Sequence, residues 1–132
     1  MRKKRLWWRR GWRVKRRRSS VTKHYLKHKE LARDFVHDRI EYWNEFYQFD
    51  YGRIAIRNQK TCWGSCSSLG NLNFNYKMMF LPEHLADYVI VHELCHLQEF
   101  NHSQAFWDLV GEALPNYKSL REELHEAKLV LK

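Results

Sequence analysis

The residues of this chain whose types and spacing could do chemistry are His92-Glu93-Leu94-Cys95-His96, joined six residues later by His102. On a helix, residues four apart lie one turn above each other on one face, so the imidazoles of His92 and His96 can converge on a single metal ion. Three neutral imidazoles hold zinc at about 2.0–2.1 Å and leave a fourth position to water, which is the open, catalytic arrangement rather than the closed structural one. The metal lowers the pKa of that water towards about 7 and polarises a carbonyl, while Glu93 takes the proton and later returns it to a leaving amine. Glu93 is therefore expected to be the acid/base and not a ligand. At this composition a His-Glu-x-x-His run arises by chance in about 4 % of chains, and with a third His at one fixed offset in about 0.2 %. His102 thus separates a metal site from the alternatives, buried hydrogen-bonded histidines or a zinc that only staples the fold.

The motif must sit on a helix for this to work, and its neighbourhood argues both ways. Val89-Ile90-Val91 is a β-branched run that by itself favours a buried strand. In a strand, however, His92 and His96 would stand about 13 Å apart, too far to share an ion. A helix from Pro82 to about Phe100, apolar nearly all round and central in the core, is the consistent reading. Ser103 suits the N-cap of a following helix through Leu114, with Pro115 stopping it, and Asn101 suits the left-handed turn that would swing His102 back. A last helix is expected from Tyr117 to about Leu131, with Leu120, Leu124, Ala127 and Leu131 inward.

Upstream, Val21 to Phe49 contain no Gly or Pro, and Leu31, Phe35, Ile40, Trp43 and Tyr47 recur at helical steps until Tyr51-Gly52. Ile54 and Ile56 alternate with polar neighbours as a strand requires, and Leu72 to Met78 alternate strictly over seven residues. A short strand over Cys62–Cys66 and turn chemistry at Ser67-Ser68-Leu69-Gly70-Asn71 lie between them. His24, His28, His37, His84 and His125 belong to no motif. Cys62 and Cys66, without two partners, are read as free thiols near the cleft rather than a second metal site.

The 132 residues suffice for one domain. The net charge of +9 resembles a nucleic-acid signature until it is mapped: of 24 basic residues, eleven lie between Arg2 and Arg18 with no acid among them, leaving 13 against 15 acids in the remainder. Residues 1–20 are expected to form a flexible basic arm in which Trp7, Trp8 and Trp12 interleave with arginine, and residues 21–132 the folded domain. Such an arm can hold phosphates and stack on bases without reading a sequence. Three cysteines and no apolar signal segment point to free thiols in a reducing compartment, read as the cytoplasm. Nothing approaches the roughly 20 apolar residues of a membrane span, and no feature sets an oligomeric state.

Lys60-Thr61-Cys62-Trp63-Gly64-Ser65-Cys66-Ser67, the Tyr88–Leu97 segment around the motif, Asn101-His102-Ser103 and Phe106-Trp107 together resemble the YgjP-like metallopeptidase family, related to the SprT-like and WLM zinc proteases. The match is dense from about Arg53 to Tyr117. The resemblance implies an α+β, zincin-like minimal metallopeptidase fold: an N-terminal helix, a small three-stranded sheet, the active-site helix and two C-terminal helices. It also implies one zinc per chain on His92, His96 and His102, with Glu93 as acid/base and a polypeptide as substrate. Two departures stand out: Cys62 replaces the arginine common at that position, and only the basic arm precedes the first helix where longer members carry a β-rich region. Metzincins share the His92 to His102 spacing, but Glu99 occupies their glycine position and no methionine follows the site. Arg57, Lys60 and Tyr88 are candidates for binding substrate or steadying the oxyanion. The contrasting expectation is a nucleic-acid-associated module, localised through residues 2–18, in which zinc is structural or incidental.

Overall fold

The computed structural model describes residues 20–127, so the basic arm, and Lys128 and Leu131 of the last expected helix, lie outside the described residues. α1 (Ser20–Tyr47) covers the core with Ala32, Val36 and Ile40, each fully buried at steps of four, and with half-buried Trp43. Leu31, expected in that stripe, is 59 % exposed: the true stripe lies one residue on, where a small Ala allows close approach. The helix also stops before the expected Tyr51-Gly52. Gln48 adopts a left-handed φ of 56°, and the Asn44 side chain both donates to Phe49 O and accepts from Phe49 N, each at 2.9 Å. Those bonds offset the roughly 1–2 kcal/mol that a non-glycine residue pays for that conformation.

Strands β1 (Ile54–Arg57), β2 (Gly64–Cys66) and β3 (Leu72–Asn75) form one sheet in the order β1-β3-β2, with β1 parallel and β2 antiparallel to β3. β2 is therefore an edge. The seven-residue alternation predicted a strand through Met78, yet β3 ends at Asn75 and Tyr76–Phe80 winds into a 3-10 turn. The fully buried Asn75 side chain explains the switch: its Oδ1 accepts from Lys77 N, and its Nδ2 donates to Gln59 O and Cys62 O. Tyr76 and Met78 are buried all the same, so the burial alternation survives without the ladder.

α2 (Glu83–Cys95) settles the conflict over Val89-Ile90-Val91 in favour of a helix. One side packs Ala86, Val89, Ile90 and Leu94 against α1 and the sheet, and the other packs Leu85, Tyr88, Val91 and Cys95 against α3 (Gln104–Ala113) and α4 (Tyr117–Ala127). A helix apolar all round has neighbours on all sides, which outweighs the modest β preference of its sequence. It ends at Cys95, short of the expected Phe100, in turns that carry the chain to His102. α3 begins as expected, with Ser103 Oγ accepting from Phe106 N. Asn101 is not left-handed; the corner instead closes through Ser103 N to Asn101 O at 2.8 Å. Arg39 on α1 grips Asp87 on α2 with two parallel bonds of 2.7 Å, a clamp between elements 48 residues apart that the sequence did not announce. Among the described residues, no helix is long and apolar enough to cross a membrane.

Candidate metal centre

His92 and His96 project from adjacent turns at the end of α2, and His102 returns from the turn before α3, so that the three Nε2 atoms stand 3.0–3.1 Å apart. Among the described residues, these three form the group of potential ligands that could hold a metal ion. α3 steadies the rings from behind: Phe106 stacks on His96 at 4.3 Å, and Trp107 lies parallel to His102 at 5.8 Å. The helix ends early enough to leave the Glu99 carbonyl facing inward, where it meets His96 Nδ1 at 3.0 Å. A proton on that Nδ1 leaves Nε2 with its lone pair turned to the other two rings. Burial holds the His96 imidazole below its ordinary pKa, which favours the neutral, ligating form.

Glu93 is 5 % exposed, and its Oε1 lies 3.8 Å from His92 Nε2. Burial pushes its carboxyl up to about 8, and its buried Oε2 has no hydrogen-bond partner. The centre fits a divalent cation on both counts. Three lone pairs at this spacing repel one another unless a positive charge lies between them, and one ion with bonds of about 2.0–2.1 Å spans the triangle. The same charge would draw the Glu93 proton off, returning it to the carboxylate form.

Gly64 on β2 explains how the sheet comes so near. A Cβ there would lie 3.1 Å from Glu93 Cγ, 3.1 Å from Asn73 O and 3.2 Å from Phe74 Cδ1. Gly64→Ala is expected to cost about 1–3 kcal/mol in stability through overpacking and to lower kcat by displacing Glu93. Thermal melting together with steady-state kinetics checks this; a variant matching the wild type in both would show that the contact constrains nothing.

Of the remaining sequence candidates, Tyr88 alone has a ring contact with a triad histidine. Tyr88 is buried one turn before His92 with its ring 5.8 Å from that imidazole, and burial pushes its hydroxyl up to about 12, with Arg121 acting in the opposite direction. Arg57 ends β1, which β3 separates from β2, and Lys60 is exposed in the connection to β2. All three cysteines are free: Cys62 Sγ donates to Gln59 Oε1, and Cys95 is buried in the core. Cys66 faces the site closely enough for the Glu93 charge to add to burial in raising its thiol to about 11. The approach of Gly64 to Glu93 and the place of Arg121 beside the site are roles that the sequence did not assign. The four-residue step from Tyr117 to Arg121 was the only signal available for the latter.

Comparison with curated proteins gives no match. Among solved structures, the chain is similar to the metallopeptidase zymogen abylysin of Pyrococcus abyssi: TM-score 0.63 and 23 % identity, covering 70 % of this chain and 93 % of that one. It is likewise similar to the metallopeptidase zymogen jannalysin of Methanocaldococcus jannaschii, with TM-score 0.61 and 20 % identity over 70 % of this chain and 95 % of that one. At such identities the likeness speaks for the fold, a four-helix and three-strand α+β architecture of minimal metallopeptidases. A family model for the YgjP-like metallopeptidase domain matches residues 13–127, and the chain belongs to that family.

Proposed function

We propose that the protein is a zinc-dependent peptidase in which His92, His96 and His102 hold one zinc ion per chain and Glu93 moves the proton. The observation that carries this reading is the triangle of Nε2 atoms with a buried, unpartnered Glu93 Oε2 beside it. When bound, zinc polarises the scissile carbonyl and acidifies a water. Glu93 then accepts a proton from the attacking water and delivers it to the departing amine, a service worth about 10²–10⁴-fold. Gly64, where an added Cβ would come within 3.1 Å of Glu93 Cγ, leaves the side chain room beside the sheet. Tyr88 remains protonated at neutral pH and lies against His92, which favours it over Arg57 and Lys60 as a donor to the developing oxyanion.

β2 is an edge strand whose Gly64 lies close beside the acid/base, so an extended polypeptide pairing along that edge would bring its backbone near Glu93. Free thiols throughout agree with a reducing compartment, and we assign the protein to the cytoplasm on that ground. Nucleic-acid contact through residues 2–18 draws no support from residues 20–127.

Metal analysis tests the centre directly. The wild type should carry one zinc per chain, and His102→Ala should bind zinc at least about 100-fold more weakly, because second-shell changes alone already cost about 10–100-fold. Unchanged affinity in His102→Ala would remove the three-histidine site.

A further inference from the structure

A groove of about 960 Å³ opens beside the triad, with Tyr88, Gln104 and Trp107 among the residues on the α2 and α3 side and Tyr117, Lys118 and Arg121 on the α4 side. Trp107 belongs to both places. Its ring lies parallel to His102 at 5.8 Å and stacks on Tyr117 at 5.3 Å, while the Arg121 guanidinium sits over it at 4.9 Å from the ring centre. Two residues beyond Arg121 on α4, Glu123 meets His84 near the start of α2 at 2.8 Å. Tyr88 and Trp107, both lying against His92, join the groove to the triad, and α4 forms its other wall. Glu122 and Glu126 also line it, but Arg121 is the charged residue tied to the tryptophan behind His102.

A guanidinium whose central carbon sits over an indole face can still present N–H groups to a second partner. Among the described residues, no carboxylate lies within ion-pair distance of Arg121. The contact with Trp107 places the exposed guanidinium at the groove, and its fork of N–H donors matches a planar, two-oxygen anion. We propose that Arg121, seated on Trp107, binds a carboxylate of the peptide substrate, so that this enzyme selects peptides bearing an acidic group next to the bond to be cut. The inference rests on the peptidase reading above and adds the substrate class. The carboxylate can come from an Asp or Glu side chain or from the substrate's own C-terminus, and both present the same two oxygens.

The test uses the full-length, zinc-loaded protein and matched fluorogenic peptides. One pair differs by Glu against Gln beside the scissile bond, the other by a free C-terminal carboxylate against an amide. The wild type should favour the acidic member of one pair by about 10- to 100-fold in kcat/KM, as a charge-assisted hydrogen bond provides. The pair that responds identifies the source. Arg121→Gln should bring that ratio to within about twofold of unity, and Arg121→Lys, which keeps the charge but not the fork, should keep part of it. A ratio near unity in the wild type, or one that Arg121→Gln leaves intact, overturns the assignment. Equilibrium binding of the same pairs to the Glu93→Gln protein reads the preference without turnover. If the wild type cleaves none of the peptides, the peptidase reading fails while the carboxylate site is still decided by binding.

Discussion

Glu93→Gln is expected to lower peptide hydrolysis by about 10³-fold or more, within the range that general acid/base catalysis commands, with zinc content unchanged. The amide has nearly the same shape, so the contact with Gly64 survives, but it cannot accept a proton from water. Stability should move the other way. The Glu93 carboxyl is buried, burial pushes it up to about 8, and its Oε2 has no partner, so on the proposed mechanism the wild type keeps a poorly accommodated group for the sake of chemistry. A neutral amide is expected to leave stability unchanged or raise it by up to about 2 kcal/mol. Zinc analysis, kinetics and a melting curve on one preparation check all three statements. Hydrolysis retained in Glu93→Gln would end the proposed mechanism, and a large loss of stability would recast Glu93 as a structural residue.

The largest effect on folding should come from the clamp between α1 and α2. Arg39 and Asp87 are joined by two bonds of 2.7 Å, and their side chains are only 21 % and 11 % exposed. Arg39→Ala strands the Asp87 carboxylate in a largely buried position. Removing one partner of a buried pair costs about 3–5 kcal/mol, and the residual access to water here brings the expected loss to about 2–4 kcal/mol. Glu83, 3.7 Å from Arg39 and exposed, contributes little. Replacing both partners, Arg39→Met with Asp87→Leu, should recover most of the loss, since the strain lies in the orphaned charge rather than in the missing attraction. Urea denaturation of the two variants decides it. A loss below about 0.5 kcal/mol for Arg39→Ala would mean that the pair behaves as a surface salt bridge.

Much of this architecture was legible because it is encoded at short range. Helical spacing put His92 and His96 one turn apart, Ser103 announced the start of α3, and the Ser67–Asn71 turn predicted the β2–β3 hairpin, all by chemistry acting within a few residues. The misreadings share a cause at the same scale. Alternating burial from Leu72 to Met78 looked like one strand because a 3-10 turn can bury Tyr76 and Met78 too, and only the bonds of Asn75 to Gln59 and Cys62 end the ladder. Leu31 and Ala32 are both plausible inner residues of α1, and closeness to the core chose the smaller.

What the sequence determined by itself was the chemistry on offer: two imidazoles and a carboxylate at helical spacing with a third imidazole six residues on, in a frame that matches a known metallopeptidase family across residues 13–127. What only the tertiary structure decided was which distant groups meet. The return of His102 to within 3.1 Å of His92, the approach of Gly64 to Glu93, the Arg39–Asp87 clamp and the seat of Arg121 on Trp107 each join separate elements. Such contacts have no local signature, because their energy depends on packing that exists only once the whole core has formed around α2.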